Sequence, residues 1–264
     1  MAGEICLTGI VLGSMPVGDY DRRLSLLTCE RGRISAFARG ARRPMSSLRA
    51  ASRLFTYAKF TVYAGKDSYS VSRCDDPIFF DEMIMDPEKT YYGMYFCELM
   101  EYFTRENSDE KEQVKLLFTG FRALVKGAVS PKLIRRVFEL RAIANYGEAP
   151  NVFECSGCRK KEGKEKWLLD IKGGALYCEE CYKEKNIHAN DSKSIILISE
   201  TVRYTMHYSI TSPYKTLFGF DLTEEVKTVF EKCVDEYMKN HIDKSIKTLE
   251  LLDTLSYNVG TDGL

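Results

Sequence analysis

The first 80 residues carry apolar residues in short runs, several of them alternating with polar residues and separated by turns that contain glycine. Alternation with a period of two, together with β-branched and aromatic residues, is typical of short β-strands. We predict five strands, the first ending at Gly13 and the last two joined by a hairpin turn at Ala64–Asp67. They cover Ile5–Leu12, Leu24–Thr28, Arg33–Arg39, Phe55–Tyr63 and Ser68–Arg73. Five short strands in this length predict a small closed sheet, an OB-like barrel.

From about Asp86 the apolar positions recur at steps of three and four residues, which is the period of an amphipathic helix. The clearest boundaries belong to one helix that Ser130 caps, with Pro131 in its first turn and Gly147 at its end. A later helix is expected to be capped by Asp221 or Thr223 and to run towards His241. The other predicted helices are Tyr91–Phe103, Glu112–Lys126, Ile195–Tyr208 and Lys244–Leu255.

Four of the nine cysteines form two Cys-x-x-Cys units that are 19 residues apart, Cys155 with Cys158 and Cys178 with Cys181. Two intervening residues let a tight turn point both sulfurs at one ion, and two such turns complete a tetrahedron. This pattern predicts one structural Zn²⁺ per chain. A redox pair of the thioredoxin kind, or cysteines that no longer hold a metal, are the alternatives. The other cysteines lie among apolar neighbours and are expected to be small buried residues.

The fold class that follows is α+β, an N-terminal OB-fold barrel and then a mainly helical domain that carries the four-cysteine zinc element. We expect the barrel in residues 1–80, helices in residues 81–150, the zinc-binding insertion in residues 151–187 and further helices in residues 188–264. The sequence contains no apolar run long enough to cross a membrane and does not begin like a signal peptide, so a cytoplasmic protein is expected.

The net charge of zero conceals an uneven distribution. Residues 1–80 hold 12 basic and 7 acidic side chains, whereas residues 81–264 hold 26 basic and 31 acidic ones. Between Arg22 and Arg53 there are nine arginines and one acidic residue, Glu30. A polyanion responds to the local field, and arginine binds phosphate bidentately and stacks on bases. The barrel is therefore a candidate nucleic-acid surface.

Within this segment the stretch Gly40–Ser47 is predicted to be an exposed basic loop. The candidate DNA-contacting residues are Arg22, Arg33, Arg39, Arg42, Arg43 and Arg49. Phe37, Tyr57 and Tyr63 are candidate stacking rings, although a place in the barrel core is the favoured interpretation for Phe37. A solvated face with local carboxylate pairs is the alternative explanation for the arginines.

The sequence offers little for catalysis. It has three histidines, and it lacks the phosphate-binding loop, the nucleophile elbow and the His-x-Glu pattern of zinc deaminases. Four protein ligands would also leave a zinc ion with no open position for water. We therefore expect a binding protein and not an enzyme.

The order of these features resembles the RecO family of bacterial recombination mediators. The resemblance rests on Asp19–Thr28, Gly32–Ala36 and Gly40–Pro44, then on Tyr95–Leu99, Phe138–Arg141 and the glycine pair before Cys178. It implies an OB fold, a helical part, a zinc-binding insertion, binding to single- and double-stranded DNA, and annealing of complementary strands. It also implies action with RecR to load RecA onto strands coated by single-strand-binding protein, whose C-terminal tail would dock on the helical part.

Two other functions remain open from the residues alone. One is a zinc-ribbon OB-fold protein that binds RNA or acts in transcription. The other is a protein-interaction scaffold, which predicts no salt-sensitive binding of nucleic acid.

Overall fold

The computed structural model describes residues 3–65, 68–161, 166–184, 194–242, 246–249 and 251–252. Contacts between residues divide the chain into two compact units, one of Met1–Lys126 with Ile246–Leu264 and the other of Gly127–Ser245. Among the described residues, no helix combines the length and the apolar character needed to cross a bilayer. The four finer segments expected from the sequence stay predictions.

A closed five-stranded barrel forms the start of the first unit, with the strand order β1-β2-β3-β5-β4. Its strands are β1 (Glu4–Val17), β2 (Asp21–Thr28), β3 (Gly32–Ala38), β4 (Tyr57–Ala64) and β5 (Tyr69–Ile78). Neighbouring strands pair antiparallel, except that β3 and β5 run parallel and close the barrel through Ala36 opposite Tyr69 and Phe37 opposite Ser70. The predicted OB-like barrel is confirmed.

The alternation seen in the sequence decides which side chains fill the barrel. In β3 the residues Gly32, Ile34, Ala36 and Ala38 are buried, while the three residues between them are half-buried. This period of two places every second side chain in one core. The largest members of that core include Leu7, Leu24, Leu26 and Phe60. A short helix, α1 (Leu48–Ala51), connects β3 to β4 and buries Leu48 in the same core.

Four predicted strand ends in the barrel are wrong by two residues or more. Strand β2 begins at Asp21 and not at Leu24, and β5 ends at Ile78 and not at Arg73. Strand β1 does not end at Gly13 but continues to Val17, because a register shift between Val11 and Gly13 bends the strand without ending its pairing with β2. Strand β4 begins at Tyr57 and not at Phe55, whose φ of 69° is incompatible with an extended strand. The predicted hairpin turn includes Lys66 and Asp67, which lie outside the described residues.

Three helices follow the barrel in the first unit: α2 (Asp81–Ile84), α3 (Pro87–Phe103) and α4 (Lys111–Lys126). Asp86 caps α3 by accepting the Lys89 N–H at 3.2 Å, and Pro87 occupies the first turn. The rings of Phe55 and Phe121 meet at 5.0 Å, so α4 packs close to the start of β4. The two predicted helices in this region are confirmed, α3 beginning four residues earlier than expected.

The second unit contains the helices α5 (Pro131–Tyr146), α7 (Glu200–Thr211) and α8 (Glu224–His241). The Ser130 hydroxyl accepts the Leu133 N–H at 3.3 Å, and Gly147 ends α5 with a φ of 98°. Both are the capping residues expected from the sequence. Of the two residues predicted to cap α8, Asp221 and Thr223, it is Thr223 that precedes the helix. Its side chain makes no capping hydrogen bond.

A three-stranded sheet with the order β7-β6-β8 lies in the second unit. Its strands are β6 (Trp167–Asp170), β7 (Ala175–Cys178) and β8 (Ile195–Ile198), and the short helix α6 (Glu179–Glu184) follows β7. The helix predicted over Ile195–Tyr208 is therefore wrong in its first turn. Ile195–Ile198 pair with β6, and the Ser199 hydroxyl caps α7 by accepting the Val202 N–H at 3.3 Å.

The helix predicted over Lys244–Leu255 lies partly outside the described residues, but Lys247–Leu249 are helical. The Glu98 carboxylate accepts the backbone N–H groups of Lys247 and Thr248, each at 3.0 Å. A carboxylate at a helix N-terminus satisfies donors that the helix itself leaves free. Glu98 thus ties Lys247 and Thr248 to α3.

Candidate nucleic-acid interface and metal centre

Five arginines meet at one end of the barrel, where β2 begins and β3 ends. The strand register places Arg22 opposite Ala38 and Arg23 opposite Phe37, and the loop after Ala38 carries the other three. We call this set the basic rim; its members are Arg22, Arg23, Arg39, Arg42 and Arg43. Four of them are exposed, and Arg22 is half-buried.

Backbone contacts fix the loops that carry the basic rim. The Arg42 N–H donates to the Tyr20 carbonyl at 2.8 Å, and its guanidinium donates to the Gly18 carbonyl at 2.9 Å. The Asp21 carboxylate accepts the Gly40 N–H at 2.7 Å. The β1–β2 turn and the loop after β3 are therefore tied together, so the rim does not have to be ordered entirely by a ligand.

The guanidinium groups of the rim mostly meet neutral partners. Arg22 donates from Nη1 to the Ser14 hydroxyl at 2.9 Å, and its Nε is buried with no partner among the described residues. Arg23 donates from Nε to the Ser35 hydroxyl at 2.8 Å. Arg43 lies over the Tyr20 ring, with its guanidinium carbon 5.0 Å from the ring centroid. Neutral partners leave the positive charge available to an anion.

Ion pairing distinguishes Arg53 from the other arginines of the segment, including those of the rim. Of the nine arginines between Arg22 and Arg53, Arg53 alone forms an ion pair within the described part of the chain, with Asp81. Arg53 also lies over the Phe79 ring at 5.6 Å. The expected alternative, in which local carboxylates neutralise the arginines, holds for Arg53 and not for the rim.

The six arginines predicted from the sequence do not all lie together. Arg22, Arg39, Arg42 and Arg43 belong to the basic rim, whereas Arg33 lies at the other end of β3 and donates to the Thr104 carbonyl at 3.3 Å. With about 3.3 Å per residue, Arg33 and Arg39 are roughly 20 Å apart along the strand. Arg49 is exposed on α1. Whether each contacts DNA stays a prediction.

The predicted stacking rings differ in their surroundings. Phe37 is not a core residue, contrary to the favoured interpretation; it is half-buried and lies opposite Arg23 on the outer face. The alternation of β3 gives the reason, because Ala36 and Ala38 on either side of Phe37 face the core. Tyr57 packs on the Phe118 ring at 4.8 Å, and Tyr63 is 45% exposed.

Sequence reasoning missed Tyr20, which belongs to the surface beside the rim. Its ring is 54% exposed and carries the Arg43 guanidinium. The available signal was its position in the turn between the first two predicted strands, where an aromatic residue has no core to fill.

The four predicted cysteines form a second site, in the unit Gly127–Ser245. Their sulfur atoms all lie within 4.8 Å of one another, and the Cys178 sulfur is 3.7 Å from that of Cys155 and 3.8 Å from that of Cys158. A tetrahedral ion with metal–sulfur bonds of about 2.3 Å requires sulfur–sulfur distances of about 3.8 Å. The observed spacing fits such an ion.

Backbone groups prepare Cys155 for this role. The N–H groups of Gly157 and Cys178 each donate to its sulfur at 3.3 Å. Burial raises the pKa of the thiol, but backbone N–H groups of Cys158, Cys178 and Gly157 outweigh it and lower the pKa to about 6. The thiolate is the form that binds a metal ion.

Gly157 is required by the tight approach of the two Cys-x-x-Cys turns. A Cβ at this position would lie 2.7 Å from the Cys181 sulfur and 2.8 Å from its Cβ. Any larger residue would therefore push Cys181 away from the other three sulfurs. The four clustered cysteines could therefore hold a metal ion.

The chain is an α+β protein with a closed OB-like barrel that carries the basic rim, a helical part, and a cluster of four cysteines that could bind a metal ion. The family description "Recombination protein O N terminal" matches residues 1–76, and "Recombination protein O C terminal" matches residues 85–250. The chain belongs to the RecO family of DNA repair proteins.

Relatives cover nearly the whole chain. The DNA repair protein RecO of Acetivibrio thermocellus is 32% identical over 94% of this chain and 96% of its own. The DNA repair proteins RecO of Clostridium kluyveri and Alkaliphilus metalliredigens are 28% and 27% identical, over 93% and 92% of this chain and 92% and 96% of their own. The resemblance expected from the sequence is confirmed.

Proposed function

We propose that this protein binds single- and double-stranded DNA through the basic rim and anneals complementary strands. We further propose that it works with RecR to load RecA onto strands coated by single-strand-binding protein, whose C-terminal tail docks on the helical part. The single observation that carries the proposal is the basic rim, where five arginines converge and none pairs with a carboxylate in the described part of the chain.

The mechanism is electrostatic and needs no catalytic residue. Each arginine that neutralises a phosphate releases bound counterions, so affinity falls as salt rises, by about 0.7 in logarithmic slope per contact on a single strand. Because two strands repel each other through their phosphates, neutralising both at one surface favours their pairing. On this proposal the protein is a mediator and not an enzyme, and it acts in the cytoplasm at the nucleoid.

Zn²⁺ is the ion that we propose for the cysteine site. Cys155, Cys158, Cys178 and Cys181 would hold it, and four protein ligands make its contribution structural. The Cys155 and Cys158 turn and the Cys178 and Cys181 turn would then be joined at one point, which stabilises a segment with a small core of its own.

Charge reversal in the basic rim tests the proposal. In Arg42→Glu/Arg43→Glu, affinity for a labelled oligothymidylate should fall and the slope of log affinity against log salt should decrease by about 1.4 or more. Fluorescence anisotropy at several salt concentrations measures both quantities. Arg122→Glu/Lys126→Glu makes the same charge change at exposed positions of α4 and should leave the slope nearly unchanged. An unaltered slope in the rim variant would remove the rim from the interface.

An RNA-binding function is the second candidate, and the same assay separates it. The rim arginines contact phosphates, which DNA and RNA share, so the rim alone predicts similar affinities for strands of equal sequence. A strong preference for RNA would require recognition of the 2′-hydroxyl and would favour the RNA or transcription function.

A further inference from the structure

The turn between β1 and β2 presents an aromatic ring beside the basic rim. The two strands pair as far as Val17 and Asp21, and Tyr20 is the last of the three residues between them. Tyr20 is 54% exposed although the Arg43 guanidinium lies over its ring, 5.0 Å from the centroid. Since the cation covers one face of the ring, most of this exposure belongs to the other face and to the edge. The ring therefore offers a flat apolar surface to a ligand.

The same hairpin exposes further apolar side chains next to the arginines. Met15 and Val17 lie two residues apart on β1, so they share one face of the strand, and they are 64% and 38% exposed. The register places Met15 opposite Arg23, which forms no ion pair within the described part of the chain. Exposed apolar surface among unpaired cations fits a ligand that is itself part apolar and part anionic.

The fold holds the Tyr20 ring in place before a ligand arrives. The Tyr20 carbonyl accepts the Arg42 N–H at 2.8 Å, and the Gly18 carbonyl accepts the Arg42 guanidinium at 2.9 Å. Gly18 has a φ of 54°, a left-handed conformation that turns the chain towards Tyr20. The contact with Arg43 restrains the ring itself. Little conformational entropy is then lost when a ligand binds there.

The charges of the two loops favour a polyanion and indicate where its parts would lie. Residues 14–23 and 37–47 contain the five arginines of the rim and two acidic residues, Asp19 and Asp21. The Asp21 carboxylate already accepts the Gly40 N–H at 2.7 Å, whereas Asp19 is exposed. The positive charges are in excess, so the surface attracts phosphates. Because the two aspartates flank Tyr20, we expect the phosphates at the arginines and an uncharged group at the ring.

A single strand of nucleic acid matches this pattern better than a membrane surface does. Its bases are flat and uncharged, and its phosphates follow at every nucleotide. Insertion of Tyr20 into a lipid layer would carry the exposed Asp19 carboxylate with it, and a charged carboxylate is costly in an apolar layer.

We propose that Tyr20 stacks one base of single-stranded DNA on the face of its ring that Arg43 leaves open. The inference rests on the proposed function, since it assumes that DNA binds at the basic rim. Stacking on an aromatic ring tolerates any sequence because every base has a π-face. In a duplex, neighbouring base pairs already cover the faces of each base, so only a single strand can make this contact. Tyr20 therefore makes the rim prefer single strands, whereas the arginines bind the phosphates of both forms.

Fluorescence anisotropy of the full-length protein compares three labelled ligands of equal length. They are an oligothymidylate, an abasic strand that keeps the phosphates, and a duplex with blunt ends. The native protein should bind the oligothymidylate more tightly than the abasic strand. Tyr20→Leu should lower affinity for the oligothymidylate about fivefold or more. Its affinities for the abasic strand and the duplex, and its salt slope, should stay the same, because the arginines are unchanged.

Two control variants separate the ring from other effects of substitution. Tyr20→Phe keeps the ring and should bind the oligothymidylate like the native protein. Tyr146→Leu replaces a tyrosine of α5 that is 43% exposed, in the unit Gly127–Ser245, and should have no effect. Circular dichroism of each variant checks that the fold is intact.

The outcomes distinguish failure of the stacking contact from failure of the proposed function. Equal affinity of Tyr20→Leu and the native protein for the oligothymidylate overturns the stacking and leaves the rim in place. An equal loss on all three ligands also overturns it, because Tyr20 would then act only by positioning Arg43 for phosphate. Unchanged strand affinity with a loss of binding to phosphatidylserine vesicles would assign the ring to a membrane surface instead. A native protein that binds none of the three ligands overturns the proposed function, and the stacking with it.

Discussion

Removal of the Glu139 carboxylate should destabilise the second unit far more than removal of an exposed carboxylate. Glu139 on α5 is 1% exposed. It accepts Arg135 Nε at 2.7 Å and Arg136 Nη1 at 2.8 Å, and Arg136 continues to Asp235 on α8 at 2.8 Å. In Glu139→Ala, two buried guanidinium groups lose the carboxylate that they share.

The size of the effect follows from burial. Breaking a buried ion pair by removing one partner costs about 3–5 kcal/mol of unfolding free energy, because the remaining charge stays out of water. For a unit of this size that corresponds to a fall in Tm of roughly 6–20 °C. The exposed pair of Glu112 and Lys115, 2.7 Å apart, is the matched control. Glu112→Ala should cost less than about 1 kcal/mol.

Thermal unfolding followed by circular dichroism measures both variants at low and at high salt. The Glu139→Ala loss should persist at high salt, since buried charges are screened little, whereas any loss in Glu112→Ala should shrink. A Glu139→Ala protein that unfolds within about 1 kcal/mol of the native one would refute the reasoning. It would mean that water or another side chain replaces the carboxylate at no cost.

Two further predictions concern the metal centre and acid stability. Cys155→Ser/Cys158→Ser should lose about one zinc per chain by elemental analysis and lower Tm, because metal binding contributes folding free energy; native protein purified without any metal would contradict the assignment. Burial raises the pKa of Asp235, but Lys239 and Arg136 outweigh it and hold the pKa below its usual value of 3.8. Its contribution to stability is therefore complete above that value and is lost as the pH falls through the lower folded pKa. Asp235→Asn should be less stable than the native protein at neutral pH and nearly equal to it in strong acid, in urea unfolding at each pH; a constant difference would exclude the linkage.

The elements predicted best have strong local signals. Ser130, Pro131 and Gly147 mark the ends of α5 because capping and left-handed φ depend on residues near the helix end. The cysteine cluster could be predicted equally well from the sequence, because the spacing of each Cys-x-x-Cys unit already fixes a turn. The barrel could be predicted from the alternation within its strands.

The elements predicted worst depend on residues far away in the chain. Ile195–Ile198 is a short apolar run that suits a strand or a helix equally, and its pairing with Trp167–Asp170 decides the matter. The burial of Arg135 and Arg136 likewise depends on the carboxylates of Glu139 and of Asp235 on another helix.

The positions of the arginines show that prediction of the candidate DNA-binding site is also limited by contacts between residues far apart in the chain. Charge density along the sequence selects the whole segment from Arg22 to Arg53, but it does not say which ends of the strands meet. The register brings Arg22 and Arg23 next to the loop of Arg42 and Arg43, and it sends Arg33 to the opposite end of β3. A charge count can therefore predict a basic domain, whereas the rim requires the topology.

The strands of the barrel are not hydrogen-bonded equally around its circumference, because the parallel pairing of β3 with β5 is short. Ala36 opposite Tyr69 and Phe37 opposite Ser70 are the two pairs that close it, whereas β2 and β3 share seven. Since a short ladder loses few hydrogen bonds when it parts, amide hydrogens there should exchange with deuterium sooner than those of β2. Among the described residues, the barrel wall is therefore parted most easily between β3 and β5.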